Sequence, residues 1–402
     1  MRPAAAGACV AAAAGYAASV AAVRVRRQLR GGTLVALAAG GNGSHVFPAL
    51  AIAQDLQRSG VQVVLLGEGP PSLESEVAQQ SGLPLLATPS VQLRPPLRSA
   101  ANLASVLRFP LCVACSAWAL LRCAPDVLVG TGGRVEVPAC LAAAALGIPL
   151  LLYEPNAKPG AANRALHWLA CRTLLAYGSA AGELRFKERC QVVGPAVRSE
   201  VLAYAPPCDG GTAAQQQQQQ EQCRRRQRCR ARKSLGLPAG RGARVLLVLG
   251  GWRGCGYLNC ALNNALPQLA GVPGLFVLWH TGAKQHRAYA EGYAASLPNV
   301  RCVPHLPDMG AALASADLVL SRAGAATVAE LAACRTRALL MPSPATCEQQ
   351  QEANARVLEE RALRAVAQPP QVWRRLYGRW MWTSTASHPG CCRCCWRRRE
   401  GG

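Results

Sequence analysis

The stretch Ala38–Leu50, "AAGGNGSHVFPAL", decides how the chain reads. It follows the apolar run Leu34-Val35-Ala36-Leu37 and continues into Ala51-Ile52-Ala53. Strand, glycine turn and helix is the expected order, with Val46, Leu50, Ala53 and Leu56 along one helix face. Backbone N–H groups at such a helix start, approachable because glycines lack Cβ, suit a phosphate or diphosphate. The same turn also serves plain packing. His45 at its mouth reads equally as a base near neutral pH or as a helix-terminal histidine bonded to backbone.

Outward from this turn, short apolar runs alternate with helical stretches, the pattern of a parallel sheet with crossover helices. Strands are expected within 33–40, 61–67, 126–133, 148–154 and 190–194, most ending in Gly or an acid. A second α/β pattern opens at 243–254 and continues through 274–282, 300–306, 316–333 and 338–344. Between them, residues 204–231 are rich in Gln and Arg with no apolar face, which predicts a disordered linker. The expected architecture is α/β. An acceptor lobe (31–203) and a second lobe (232–367), both Rossmann-like, would hold a ligand between their sheets' carboxyl edges. Periodicity stops near Gln368, leaving an irregular, basic, Cys-rich tail over 368–402.

A chain of 402 residues that is 50% apolar can bury a sizeable core. Its formal charge of +23 would favour a nucleic-acid or anionic-membrane partner. Yet 5 Arg lie in residues 1–30, 7 basic residues in 207–233 and 7 Arg in 372–402, leaving 25 basic against 18 acidic residues elsewhere. That modest excess fits a phosphorylated or lipid-surface substrate, and the Arg run lacks the interleaved aromatics of a nucleic-acid site. The 19 cysteines are scattered through apolar stretches, which reads as buried free thiols in a reducing compartment. The "CCRCC" of 391–395 lacks the paired spacing of a zinc site. Residues 1–30 are Ala-rich, carry Arg and contain no acid, as organelle transit peptides do; a membrane anchor over 3–23 is the rival reading. No other stretch reads as long and apolar enough to span a bilayer.

Related loops recur at "GTGG" (130–133), "GGWRG" (250–254) and "SRAGAATVAE" (321–330). The last offers first-turn N–H groups of Ala325, Ala326 and Thr327 to a diphosphate, with Glu330 placed to accept ribose hydroxyls. None of the five Asp residues forms an Asp-x-Asp pair, so helix N-termini rather than a carboxylate-held metal are expected to carry the leaving group.

In order and spacing, from about Thr33 to Val366, these segments resemble the MurG family of glycosyltransferases, here as a eukaryotic plastid-type copy. "GGNGSHVFPALAIAQDL" (40–56) is similar to that family's glycine loop and helix, with Asn42, Gly43, Ser44 and His45 in it. "PDVLVGTGGRVEVPACLAAAALGIPLLLYEPNAKPGAANR" (125–164) resembles the acceptor segment supplying a Glu and an Asn, here Glu154 and Asn156. "VVGPAVR" (192–198) is similar to a segment ending in a diphosphate-side Arg, here Arg198. In the second lobe, Leu306 of "PHLPDM" matches a position whose backbone meets uracil. "SRAGAATVAE" resembles the nucleotide-binding helix start, with Val328, Ala329 and Glu330. Gln350 and Gln351 of "PSPATCEQQQEANA" (342–355) match the paired glutamines at the sugar.

The resemblance implies a two-lobed GT-B fold and an inverting hexosyltransferase that needs no cofactor or metal. It would move N-acetylglucosamine from UDP-N-acetylglucosamine to a muramyl-pentapeptide on a polyprenyl diphosphate, the lipid I to lipid II step. His45 or Glu154 would be the base, with His45 favoured. The setting would be a peripheral membrane surface of a plastid, or alternatively the cytoplasmic face of a membrane. Two departures stand out. Trp252 replaces a small hydroxyl residue in the third glycine loop, and Ser44 replaces a glycine, which is tolerable only at negative φ. After about 368 the family's final helices have no counterpart. A catalytically impaired remnant that still binds nucleotide or a partner, and a plastid galactolipid synthase using UDP-galactose, are the competing readings.

Overall fold

The computed structural model describes residues 18–28, 31–92, 102–206, 213–240, 242–343 and 349–362. The expected tail of 368–402 and part of the expected leader lie outside them. Two compact units divide at Ser199–Glu200.

The first unit runs α1 (18–28), β1 (Leu34–Ala38), α2 (Gly43–Arg58), β2 (Gln62–Gly67), α3 (Leu73–Ser81), β3 (Leu85–Ala87) and α4 (Leu103–Cys123). It continues through β4 (Val127–Gly130), α5 (Glu136–Ala145), β5 (Leu150–Glu154), α6 (Ala161–Leu166), β6 (Arg172–Leu175) and β7 (Cys190–Val192), and α7 (Ser199–Leu202) spans the division. The seven strands pair in the order β3-β2-β1-β4-β5-β6-β7, all parallel. Central strands covered on both faces must be apolar throughout, which is why "LVALA" reads as a continuous run. Asp126 seals the start of β1: its Oδ2 accepts the Leu34 N–H at 2.8 Å while its own N–H donates to the Leu34 carbonyl at 2.8 Å.

The expected leader of 1–30 is corrected in part. Residues 18–28 form a helix whose Val23 is buried in the main core, and Arg26 donates to the Leu121 carbonyl at 2.6 Å. A second correction concerns α4, the one helix among the described residues long and apolar enough to cross a membrane. It buries Cys112, Ser116 and Leu120, a stripe at i, i+4 and i+8, and leaves Leu103, Val106, Leu107, Leu111 and Trp118 more than half exposed. Short β3 and β6 were absent from the expected strands because three or four residues carry too little periodicity.

The second unit continues with α8 (Ala213–Ser234), β8 (Arg244–Leu249), α9 (Gly256–Ala270), β9 (Leu275–His280), α10 (His286–Ala290), β10 (Val300–Val303) and α11 (Met309–Ser315). β11 (Leu318–Ser321), α12 (Ala325–Cys334), β12 (Ala338–Leu340) and α13 (Gln350–Ala362) complete it. Its five strands pair in parallel as β10-β9-β8-β11-β12. Fully buried Trp279 anchors the core and donates from Nε1 to Asn259 Oδ1 at 3.0 Å.

The Gln/Arg segment expected to be disordered is instead α8, because Gln and Arg are good helix formers and Arg stems can be buried while their heads find partners. Arg232, itself buried, donates from Nε to the Ser315 carbonyl at 2.9 Å and from Nη1 to the Ala243 carbonyl at 3.0 Å. Asp317 accepts from Arg232, from Arg228 at 2.8 Å and from the Val245 N–H at 2.7 Å, joining α8, β8 and β11. Asp317→Ala leaves the Arg232 guanidinium buried without its carboxylate. Urea unfolding of that variant should show a loss of about 2 kcal/mol, below the range for a fully buried pair because Asp317 is partly solvated.

Candidate active site

In the first unit the sequence places two glycine loops at the carboxyl ends of adjacent strands β1 and β4, and the structure interlocks them. The β1 loop leads into α2, whose first turn is set by Asn42 as N-cap in extended backbone. The Asn42 carbonyl accepts from the His45 N–H at 3.0 Å and the Val46 N–H at 3.1 Å. Gly43 and Ser44 are the opening residues of α2, and Ser44 is not among the residues with positive φ, so its replacement of glycine carries no αL strain.

Gly132, at φ +107°, lies against the His45 imidazole, and a Cβ there would overlap Nδ1. Gly133, at φ +100°, lies equally close to the Gly40 carbonyl. His45 Nδ1 is 3.2 Å from the Thr131 carbonyl, and the Thr131 hydroxyl donates back to the His45 carbonyl at 3.0 Å. A carbonyl can only accept, so Nδ1 carries the proton and Nε2 keeps the lone pair. Burial pushes the His45 pKa below its ordinary value, against a smaller opposing effect of the Thr131 carbonyl. The ring is therefore neutral at pH 7, the form a base requires.

Glu154 closes β5 and is buried. Its Oε1 accepts from the backbone and side-chain nitrogens of Asn156, both at 2.9 Å. Its Oε2 accepts from the Gly160 N–H at 2.9 Å and Asn163 Nδ2 at 2.8 Å. All of its acceptor capacity thus goes to shaping the 155–163 loop, leaving little for a substrate proton. Burial raises its pKa against these four bonds. The Tyr153 hydroxyl accepts from the Ala196 N–H at 2.7 Å and donates to the Gly194 carbonyl at 3.1 Å, holding the segment that carries Arg198. The Arg198 guanidinium sits 4.4 Å from the ring centroid of Phe47, on α2 two residues past His45. Asn42, Gly43, Ser44, His45 and Arg198 are thereby gathered around the start of α2.

The second unit repeats the design. Its β8 loop, Gly250–Gly254, packs against the turn after β9, where the Gly254 Cα faces the Thr281 carbonyl and Gly282. Trp252 rests edge-to-face on His305, centroids 5.2 Å apart, and His305 lies 6.4 Å from His280. Burial and then the neighbouring His305 push the His280 pKa down to about 4, so it stays neutral. Arg322, after β11, lies against Gly251.

Helix α12 starts at Gly324 in extended backbone with no side-chain cap, and Ala325, Ala326, Val328 and Ala329 are buried around its first turns. First-turn N–H groups have no intrahelical acceptor, so Ala325, Ala326 and Thr327 present donors and the positive end of the helix dipole. Glu330 is buried one turn on, and Leu306 is buried after β10. Gln350 opens α13, and Gln351 accepts the Ser343 N–H at 2.8 Å. Buried Asn354 donates to the Ala323 carbonyl at 3.2 Å, tying α13 to the turn before α12.

The expected donor-side residues therefore all follow carboxyl strand ends of one sheet. Sequence reading missed Glu74, whose carboxylate accepts the Gly41 N–H, and also Glu136, Arg322 and Asn354. Glu74, Arg322 and Asn354 reach their loops from a different element, whereas Glu136 reaches back only four residues to Gly132. Asn354 alone carried a signal, three residues after Gln351 on the same helix face. Among the described residues no group of three or more His, Cys, Asp or Glu forms a metal cluster.

Residues 35–175 match the glycosyltransferase family 28 N-terminal domain and residues 245–368 its C-terminal domain. The UDP-N-acetylglucosamine--N-acetylmuramyl-(pentapeptide) pyrophosphoryl-undecaprenol N-acetylglucosamine transferase of Desulforudis audaxviator is 37% identical over 334 residues, 81% of this chain and 83% of that protein. The protein of the same name from Burkholderia thailandensis is 34% identical over 351 residues, 85% of each chain. Among solved structures, MurG of Acinetobacter baumannii aligns with TM-score 0.55 and 26% identity, covering 87% of this chain and 91% of that one.

Proposed function

The chain belongs to the MurG family within glycosyltransferase family 28, and from that premise we propose that it transfers N-acetylglucosamine from UDP-N-acetylglucosamine to N-acetylmuramyl-pentapeptide pyrophosphoryl-undecaprenol, the lipid I to lipid II step. The observation that carries the chemistry is the His45 imidazole, held through Nδ1–H on the Thr131 carbonyl so that Nε2 can take a proton. Nε2 removes the acceptor hydroxyl proton as that oxygen bonds to the anomeric carbon and the bond to UDP breaks, inverting the centre. The departing diphosphate charge meets the first-turn N–H groups of α12 and the Arg322 guanidinium beside the β8 loop, while Glu330 takes the ribose. His45 is preferred over Glu154 as base because four hydrogen bonds already occupy the Glu154 carboxylate. The test is transfer of labelled N-acetylglucosamine from its UDP donor to a lipid I analogue, with UDP-galactose and diacylglycerol as the rival pair. No label in lipid II with a correctly folded protein sinks this reading, and galactolipid product replaces it.

The acceptor is lipid-linked in the named relatives. We place the exposed face of α4 on an anionic membrane surface, with Leu103, Leu107, Leu111 and Trp118 at the acyl boundary and exposed Arg24, Arg26, Arg108 and Arg122 at the headgroups. Leu107→Asp together with Trp118→Asp should lower co-sedimentation with anionic vesicles by about tenfold, leaving thermal unfolding unchanged because neither side chain is in the core. Unaltered vesicle binding would remove α4 from the contact.

The acid-free leader supports a plastid address. Because Val23 belongs to the core, processing would fall before residue 18. An organelle import assay with N-terminal sequencing of the processed chain tests both points.

A further inference from the structure

The core of the first unit contains a carboxyl group that the transfer chemistry does not use. Glu136 opens α5, "EVPACLAAAA", and is fully buried. One of its oxygens accepts the Gly132 N–H at 3.1 Å; the other has no hydrogen-bond partner. A Cβ on Gly130 would stand 2.5 Å from that carboxyl, so only a glycine strand end admits it. The side chain is thus wedged beneath residues 130–132, the loop whose Thr131 carbonyl holds His45 Nδ1 and whose Gly132 Cα supports the imidazole.

We propose that Glu136 is the positioning residue for His45, its buried carboxyl accepting the Gly132 N–H and clamping the Thr131–Gly132 peptide against the imidazole, thereby fixing the tautomer that leaves Nε2 free. This deepens the reading of His45 as the base and rests on it.

The groups around Glu136 agree with a neutral clamp. Glu154 on β5 repels its charge, and Cys140 on its own helix is a buried thiol raised far above its usual range. His45 on α2 is neutral, and Glu74 on α3 is a further carboxylate beyond Gly40 and Val135. The nearest cation in sequence, Arg134, is instead paired with Glu68 at 3.0 Å. Burial, reinforced by Glu154 and opposed only by the Gly132 N–H, pushes Glu136 up to about 8. The sign follows. Between the ordinary carboxyl range and about pH 8 the folded chain holds a proton that the unfolded chain has released, so stability falls with rising pH across that window. Above about pH 8 the clamp carries a buried charge beside Glu154 and loosens.

The experiment compares the full chain with Glu136→Gln and Glu136→Ala. Histidine 15N NMR on the free protein should show His45 protonated at Nδ1 in the parent and in Glu136→Gln, whose amide oxygen still accepts from Gly132, and a mixed tautomer in Glu136→Ala. In the transferase assay, kcat/KM of the parent should fall above about pH 8. Glu136→Gln should retain most activity at pH 7 and lose that alkaline limb, and Glu136→Ala should drop roughly tenfold at pH 7. An unchanged His45 tautomer in Glu136→Ala overturns the clamp whether or not the protein is a transferase. So does an alkaline limb that persists in Glu136→Gln. Absence of transfer by the parent overturns the functional reading instead and leaves the NMR arm decisive.

Discussion

Replacing His45 with alanine is expected to lower kcat for N-acetylglucosamine transfer by about a thousandfold, within the range for loss of a positioned general base. KM for the UDP donor should hardly move, because the residues proposed to hold the donor belong to the second unit. Folding should survive at some loss of stability, since His45 is not among the fully buried core residues, although the buried Thr131 carbonyl loses its Nδ1–H donor. The parent's activity should fall on the acid side below the ordinary histidine pKa, because burial lowers the pKa of His45 and so extends the neutral form downward. That limb should vanish from the residual activity of the variant. Parent-level turnover by His45→Ala would return the base assignment to Glu154.

Gly133→Ala is expected to be the most damaging single methyl in the first unit. The residue sits at φ +100°, and its new Cβ would collide with the Gly40 carbonyl oxygen, a backbone atom fixed by the other glycine loop. Neither loop can withdraw, because Thr131 and His45 bond across the same junction. Strained backbone plus a forced loop separation should cost about 4 kcal/mol in urea unfolding. Gly60→Ala is the control: its φ is +78° but nothing lies within 4 Å of the added methyl, so about 1 kcal/mol is expected. Equal losses at the two positions would mean that φ alone matters and that the loops do not interlock.

Much of this was legible in the sequence. The opening turn, the central strands and the α12 start are local patterns in which apolar runs end on glycines, so reading them needs no knowledge of what lies across the loop. The GT-B, α/β architecture and the family followed from their order. Glu74 and Arg322 were not legible because each acts on a loop contributed by another element, and Glu136, only four residues past Gly132, because the burial of its carboxyl under that loop is set by the surrounding sheet and helices. The linker was misread because solvent-facing composition was weighed without Asp317, a partner nearly a hundred residues on that holds Arg228 and Arg232 of α8. Trp252 read as a departure in the third glycine loop, and what its composition could not show is the partner of the indole, His305, on which it rests edge-to-face.

The sealed start of β1 has its counterpart in the second unit. Asp126 caps Leu34 just as Asp317 caps Val245, each acid standing one residue before the strand that joins its sheet beside the capped one. Both sheets are therefore finished by the same stitch from within. Recombination between relatives that exchanged one whole unit would leave no central strand unsealed, because each acid and the strand it caps lie in the same unit.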